Sequence, residues 1–113
     1  MMDIEYENCT GHQIKVFGPN DGVLLDLEPA ERAARVRQRK TGVKVVGGIP
    51  TATKVIRQVE NLPDPEPNTL YVVSGYVKNV LDHRDDLVSP DTSSHSVVLD
   101  DNGEIKGVRR LTR

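Results

Sequence analysis

TLYVVS, residues 69–74, is the stretch of sequence that decides the fold of this chain. It is the most apolar strand candidate in the chain, and its centre consists of aromatic and β-branched residues, which suit a pleated sheet. A short continuous apolar run, without the alternation of a half-exposed strand, is typical of a strand buried on both faces. We therefore expect residues 69–74 to form the central strand of a sheet.

A short helix is expected directly after this strand. Apolar side chains recur at helical spacing over residues 75–81, which predicts one or two helical turns. Ser74, at the junction, can cap the helix, and the free N–H groups of a helix N-terminus can also bind an anion. Capping is the commoner role of such a serine, and ligand binding by Ser74 is the second interpretation.

Outward from this region, alternating apolar and polar residues predict further short strands. They cover residues 4–7, 13–17, 23–27, 43–46, 52–59, 97–99 and 105–111. The first three are expected to form a meander. The last two are expected to form a hairpin across the DDNGE turn at residues 100–104, and residues 82–90 are expected to form a loop.

Residues 29–40 fit two structures. Their first half, PAERAA, has a helix-like composition with a proline near a possible first turn. In their second half, Arg35, Arg37 and Arg39 alternate with Val36 and Gln38, which would place three guanidinium groups on one face of a strand. We prefer the strand.

The composition suits one small domain. At 113 residues, with 36% hydrophobic and 4% aromatic residues, the chain can bury a modest core built on valine, leucine and isoleucine. The fold class predicted is α+β: a small, mostly antiparallel, twisted sheet with one short helix, in a single compact domain over residues 1–113.

Three features indicate a cytoplasmic protein without a membrane partner. No apolar run approaches the roughly 18 residues that cross a bilayer. The acidic start, MMDIE, lacks the hydrophobic stretch of a secretory signal. A single cysteine, Cys9, excludes an intramolecular disulfide framework, and we expect it to be a small core residue rather than a nucleophile.

Charge is strongly segregated along the chain. Between Arg32 and Val59 there are eight basic residues and no acidic one, although the whole chain has a formal net charge of −2. The other 85 residues carry seven basic and seventeen acidic side chains. Such segregation creates a local positive field that the overall neutrality hides. The eight basic residues are Arg32, Arg35, Arg37, Arg39, Lys40, Lys44, Lys54 and Arg57.

Arginines spaced two apart on a strand indicate an anion site. Guanidinium groups bind phosphates and carboxylates through paired hydrogen bonds, so Arg35, Arg37 and Arg39 are the first candidate ligand-binding residues. The alternative is a solvated strand face whose charges protect an edge from aggregation. A pI near 5.9, with only three tyrosines and one phenylalanine for base stacking, disfavours long nucleic acid and favours a small anionic ligand.

Two polar clusters supply further candidates. Arg84 and Asp86, in the HRDD stretch at residues 83–86, could orient the polar part of a ligand, or could pair with each other to fix a loop. His12, in the NCTGH turn at residues 8–12, could face a ligand, although such turns usually hydrogen-bond their own backbone. His83 with Asp86 could also perform acid–base chemistry.

The sequence predicts neither a metal site nor a cofactor. The three histidines, His12, His83 and His95, show no metal-ligand spacing, and one cysteine cannot form a cysteine-based site. Residues 74–75 do not form a nucleophile elbow, because the Gly-x-Ser-x-Gly pattern is absent. We therefore assign no catalytic residue and expect binding rather than catalysis.

Several segments together resemble a family of small uncharacterised bacterial and phage proteins. They are NCTGH (8–12), LP (62–63), TLYVVS (69–74), RDDLVSP (84–90) and DNGEIKG (101–107). The family pattern runs Asn-Leu-Thr-Pro-His, a Leu-Pro-rich connector, Leu-Tyr-Ile-Val-Ser-Arg, Arg-Asp-Asp-Leu and a closing Asp-Gly turn. The chain departs from it at Cys9, at Gly11, and at Gly75, where the pattern has Arg. The resemblance implies a compact single domain, and a phage setting implies sequestration of a host signalling nucleotide.

The function predicted from the sequence is non-enzymatic binding of a small anionic ligand, most specifically a nucleotide or signalling nucleotide. The exposed strand edges of a small sheet also predict a homo-oligomer, with the ligand at the subunit boundary. The first alternative is a protein–protein interaction module or inhibitor whose basic face docks on an acidic partner. The second is a small nucleotide-modifying hydrolase that uses His83 and the nearby aspartates.

Overall fold

The computed structural model describes residues 3–40, 42–52 and 55–113. Of the eight basic residues in the positive segment, Lys54 lies outside the described residues. The described chain is mostly strands with one short helix, as predicted. In order, the elements are β1 (Glu5–Asn8), β2 (Ile14–Phe17), β3 (Val23–Leu27), β4 (Arg35–Lys40), β5 (Val43–Val46), β6 (Ile49–Ala52), β7 (Val55–Glu60), β8 (Thr69–Val72), α1 (Gly75–Val80), β9 (Leu87–Pro90), β10 (Val97–Leu99), β11 (Ile105–Val108) and β12 (Leu111–Thr112).

The first sheet has the strand order β1-β8-β9-β12, and β8 lies inside it. Strand β8 runs parallel to both neighbours, with Tyr71 opposite Leu87 and Val72 opposite Val88. Tyr71, Val72 and Val73 are fully buried at 0% exposure. The prediction of a central strand buried on both faces is therefore confirmed.

Each face of β8 belongs to a different core cluster. On one face, Tyr71 and Val73 pack with Cys9, Leu87 and Val77 of α1. On the other face, Val72 packs with Ile14 and Val88, and partly buried leucines of β3, β8 and β12 complete the cluster. Because side chains alternate across a strand, one apolar run supplies both clusters.

The second sheet has the strand order β10-β11-β2-β3 and covers the Val72 face of the first. Strands β2 and β3 form an antiparallel hairpin, and β10 pairs antiparallel with β11, as the turns between them predicted. Strand β11 runs parallel to β2, with Val108 opposite Val16. The sheets are thus mixed, because β1–β8, β8–β9 and β11–β2 are parallel pairs.

Two predictions about the strands are wrong. Strands β1 and β2 do not form a meander: β1 pairs with β8, while β2 belongs to the second sheet. Residues 82–90 are not entirely loop, since residues 87–90 form β9 and Leu87 and Val88 are buried. Only two apolar residues stand between the aspartates and the serine of this segment, too few to reveal a strand by periodicity.

We call residues 35–60 the arm; its described residues, 35–40, 42–52 and 55–60, belong to a long hairpin. Strand β4 pairs with β7, β5 pairs with β6, and both pairs follow the same register. Gly47 and Gly48 turn the chain with φ values of 57° and 82°, which glycine adopts without strain. The strand interpretation of residues 29–40 is therefore confirmed for residues 35–40, whereas residues 29–34 form neither a strand nor a helix.

The inner half of the arm, β4 and β7, packs on the rest of the protein. Val36 and Val59 lie against the cluster around Tyr71, whereas every described residue of β5 and β6 is exposed. The radius of gyration is 18.0 Å, compared with about 13 Å for a compact domain of this length. The principal dimensions of 62 × 37 × 24 Å likewise give an elongated molecule. We call the remainder of the chain the body, and the single-domain assignment stays a prediction.

Candidate anion-binding site

Two of the predicted arginines meet at the base of the arm. The register of β4 and β7 places Arg35 directly opposite Glu60, and Arg37 lies two residues further along the same face. Arg37 Nε lies 2.8 Å from Glu60 Oε1, and Arg35 Nε lies 3.7 Å from Glu60 Oε2. Glu60 is the first acidic residue after the positive segment. One carboxylate therefore serves both guanidinium groups.

Both ion pairs are exposed to solvent. The side chains of Arg35 and Arg37 are 67% and 65% exposed, and that of Glu60 is 36% exposed. Exposed pairs of this kind contribute at most about 1 kcal/mol to stability. A guanidinium group has five N–H donors, so one carboxylate cannot occupy all the donors of two arginines. The ion pairs with Glu60 therefore orient the Arg35 and Arg37 side chains, and further guanidinium N–H groups can still donate to another anion.

A third arginine joins the cluster. Arg32, Arg35 and Arg37 line an open cleft of about 620 Å³ together with Ala33, Glu60 and Asn61. We call the three arginines with Glu60 the arginine cluster. Three arginines and one glutamate line the cleft, which leaves an excess of positive charge there.

The base of the cleft is held by backbone contacts. Asn61 adopts a φ of 64°, in the left-handed region that asparagine tolerates, and its Nδ2 donates to the Ala33 carbonyl at 3.2 Å. The Ala34 N–H donates to the Cys9 carbonyl at 2.8 Å, and Ala34 is buried. These contacts connect both ends of the arm to the body and fix the segment that carries Arg32.

Arg39, the third arginine predicted for the site, lies further out. It is on the same strand face as Arg35 and Arg37, but it does not line the cleft. Alternation along β4 predicted the common face correctly. Arg32 and Glu60, which complete the cluster, could not be assigned from sequence because their positions depend on the pairing register and on the turn before β4.

Ser74 caps the helix and also lies near the cluster. Its Oγ accepts a hydrogen bond from the Val77 N–H at 3.2 Å, which confirms the capping interpretation. The six-residue helix is too short to have an appreciable dipole, so it offers no anion site by itself. Ser74 and Arg35 nevertheless border the same smaller cleft of about 350 Å³ between α1 and the arm.

Arg84 and Asp86 form a structural clamp. Arg84 Nε and Nη2 donate to the two carboxylate oxygens of Asp86 at 2.9 and 2.7 Å. The same guanidinium donates to the Pro63 carbonyl at 3.3 Å and lies 5.7 Å from the centre of the Tyr71 ring. Tyr71 Oη donates to the Asp64 carbonyl at 2.9 Å. The clamp thus holds the proline-rich connector against the central strand.

The electrostatics of the clamp agree with this role. Hydrogen bonds from Arg84 hold the pKa of the Asp86 carboxyl below its usual value, and the bond to Asp86 raises the pKa of Arg84. The two side chains are only 16% and 14% exposed. Neither of them lines the cleft of the arginine cluster.

His12 also lies away from the cluster. Its carbonyl accepts hydrogen bonds from Asn8 Nδ2 at 2.7 Å and Thr10 Oγ1 at 3.0 Å. Asn8 Oδ1 accepts from the Thr10 N–H at 2.9 Å, so Asn8 organises the whole turn. The exposed His12 side chain borders a different cleft, of about 400 Å³, beside β2 and β11.

The cysteine, the possible metal ligands and the helix length of the described chain also bear on function. Cys9 is buried, and burial raises the pKa of its thiol to about 11, so it is a core residue as predicted and not a thiolate nucleophile. In residues 3–40, 42–52 and 55–113, no group of three His, Cys, Asp or Glu residues could hold a metal ion. Within the same ranges, no helix has the length and apolar character that crossing a bilayer would require.

Comparisons with protein-family models, with curated proteins and with solved structures find no match to this chain. The resemblance to the bacterial and phage family therefore stays a prediction. Several residues that carry this resemblance have structural roles: Asn8 organises a turn, Ser74 caps the helix, and Arg84 and Asp86 form the clamp.

Proposed function

We propose that this protein binds a small anionic ligand at the arginine cluster, without transforming it. The observation that carries the proposal is the position of Arg32, Arg35 and Arg37 around the single carboxylate of Glu60. Phosphate is the anion that suits them best, because planar guanidinium groups bind its oxygens through paired hydrogen bonds. The ligand class that follows is a nucleotide or a nucleotide-like signal.

The surroundings of the cluster favour a small ligand. The cleft of about 620 Å³ is sufficient for a phosphate group and part of a nucleoside. Ser74 borders a separate cleft with Val36 and Gln38, on the opposite face of β4, so the proposal does not depend on its hydroxyl. Arg39, further along the same face, would add long-range attraction. The acidic body would repel an extended polyanion.

Binding is favoured over catalysis by the residues that line the cleft. They include no histidine, cysteine or serine, and the one carboxylate is paired with arginines. General acid–base and nucleophilic catalysis need such groups with adjusted pKa values. Sequestration of a signalling nucleotide, the role implied by the family resemblance, would need binding alone.

The test is a calorimetric and thermal-shift screen with nucleotides, cyclic nucleotides and sugar phosphates. A ligand at about 100 times its dissociation constant stabilises the folded state by about 2.7 kcal/mol, which raises the melting temperature by several degrees. We expect Arg37→Gln to weaken binding about tenfold, equivalent to about 1.4 kcal/mol.

Arg57→Gln is the matched control. Arg57 lies opposite Gln38, on the other face of the same ribbon, and borders a different cleft beside Tyr76. The control removes the same charge but leaves the cluster intact, so affinity should change little. If both variants lose the same affinity, the overall charge of the protein causes the loss and the arginine cluster does not. No binding of any phosphate compound would overturn the proposal.

A second candidate function is a protein-interaction module. The observation that favours it is the outer part of the arm, where valines and an isoleucine are exposed beside Lys44. Apolar residues surrounded by charge are typical of a protein-binding surface. Salt-sensitive binding to an acidic protein, without a thermal shift from small anions, would support this candidate over the first.

A further inference from the structure

The outer half of the arm exposes an unusual amount of apolar surface. Val43, Val45, Val46 and Ile49 are 62–70% exposed, and every residue of β5 and β6 is exposed. An isolated two-stranded hairpin is at best marginally stable in water. The register places Val43 and Val45 on one face of this ribbon with Ala52 and Pro50, and Val46 and Ile49 on the other face. Exposed apolar side chains on a protruding element are typical of an interface.

A complementary surface exists on the body of the same chain. Strand β1 is an edge of the first sheet in the described chain, and the residues around it alternate between acidic and apolar side chains. Asp3, Glu5 and Glu7 are exposed, while Ile4 and Tyr6 are 49% and 36% exposed. An open edge strand of this kind is a template for pairing with another strand.

An apolar cleft lies directly beside this edge. It has a volume of about 370 Å³ and is lined by Tyr6, Val16, Leu24, Leu25 and Leu111. Leu24 is 70% exposed, which is costly for a leucine unless another apolar group covers it. The cleft could accept one or two valine side chains.

We propose that strand β5 of one copy pairs with the β1 edge of a second copy. Strand β5 is the better partner because β6 contains Pro50, which lacks a backbone N–H. In β5, Lys44 alternates with Val43 and Val45. Residues that pair across two strands point to the same side of the sheet. With Lys44 opposite Glu5, the two valines therefore lie on the same side as Ile4 and Tyr6.

Charge decides that the arm contacts a body and not another arm. The positive segment from residue 32 to 59 has eight basic residues and no acidic one, so two arms side by side would repel each other. The rest of the chain carries seventeen acidic and seven basic residues and attracts the arm. This contact does not depend on anion binding, because the arginine cluster lies at the base of the arm and Lys44 in its outer half.

The experiment measures self-association by sedimentation velocity over a concentration series at low and physiological salt. We expect wild type to self-associate. Lys44→Glu and Glu5→Lys should each weaken this association about tenfold or more, since each places like charges at the contact. An equimolar mixture of the two variants should restore association, because every arm–body contact between them joins opposite charges.

The control is Glu104→Lys, which makes the same charge change at an exposed position away from β1. It should leave association unchanged, and circular dichroism should give the same spectrum for all variants. A wild-type monomer at about 100 μM, near the weak limit of specific interfaces, would overturn the proposal. So would a mixture that stays monomeric, or stronger association of Lys44→Glu, which would indicate an arm–arm contact. Anion binding, tested with Arg37→Gln, is unaffected by any of these outcomes.

Discussion

Glu60 determines how the arginine cluster can respond to a ligand. Its carboxylate orients Arg35 and Arg37 but also cancels one positive charge in the cleft. Removing that charge should strengthen the attraction for an anion, because an exposed charge pair at this separation is worth up to about 1 kcal/mol.

We expect Glu60→Gln to increase the affinity for a phosphate compound about threefold to fivefold, measured by calorimetry at fixed ionic strength. The amide keeps the shape of the side chain and can still accept a hydrogen bond from Arg37. Glu104→Gln, an equal change on the body, is the control. A loss of affinity in Glu60→Gln would contradict the view that the cluster has unused positive charge.

Gly107 is required for the contact between β11 and β2. A Cβ atom at this position would lie 2.4 Å from Phe17 Cε2 and 2.8 Å from the Lys15 carbonyl oxygen. The ring could rotate, but the carbonyl belongs to the backbone of the neighbouring strand and cannot yield without separating the strands.

Gly107→Ala should therefore lower the free energy of unfolding by about 1–3 kcal/mol, the usual cost of overpacking. Urea denaturation followed by circular dichroism measures this loss. The control is Gly22→Ala, since a Cβ there meets nothing within 4 Å and its φ is not positive. An unchanged midpoint for Gly107→Ala would mean that the two strands lie further apart than described.

At the scale of single elements, local sequence patterns identified most strands, and the turns identified the hairpin partners β2–β3 and β10–β11, but not the parallel partners of β1, β8 and β11. The apolar run at residues 69–74 revealed β8 and its burial, because both faces of this strand are covered. Strand β9 was not predicted, because only two of its residues, Leu87 and Val88, are typical of a strand interior and it ends at Pro90. Strand β1 pairs with β8, about 60 residues away in sequence, and no local pattern specifies such a distant partner.

The same distinction applies to the candidate site. Alternation along β4 placed Arg35 and Arg37 on one face, which requires only the period of a strand. The contribution of Glu60 depends on the register between β4 and β7, and no local pattern specifies a register across a long hairpin. The HRDD stretch had two interpretations in sequence, and only the short distances from Arg84 to Asp86 and Pro63 distinguish the clamp from a ligand site.

At the scale of the whole molecule, shape and charge divide the protein in the same way. The arm carries the positive segment and leaves the core after Val36 and Val59, while the acidic body contains both buried clusters. A globular monomer would not need an arm that adds exposed apolar surface. The elongated shape is understandable if the arm is buried in an assembly.

Shortening the arm separates its base from its outer half. Deleting residues 43–52 removes β5 and β6 and leaves residues 41, 42, 53 and 54 to close the hairpin at β4 and β7. All ten deleted residues are exposed, so the melting temperature of the body should change by no more than a few degrees. Self-association should disappear, whereas binding of a phosphate compound at the arginine cluster should persist.

Small-angle scattering should give a radius of gyration below 18.0 Å for this variant as a monomer. If the variant loses its strand signal in circular dichroism, the outer arm is needed for folding and the prediction is wrong. If the variant still self-associates, the interface lies on the body and not on the arm.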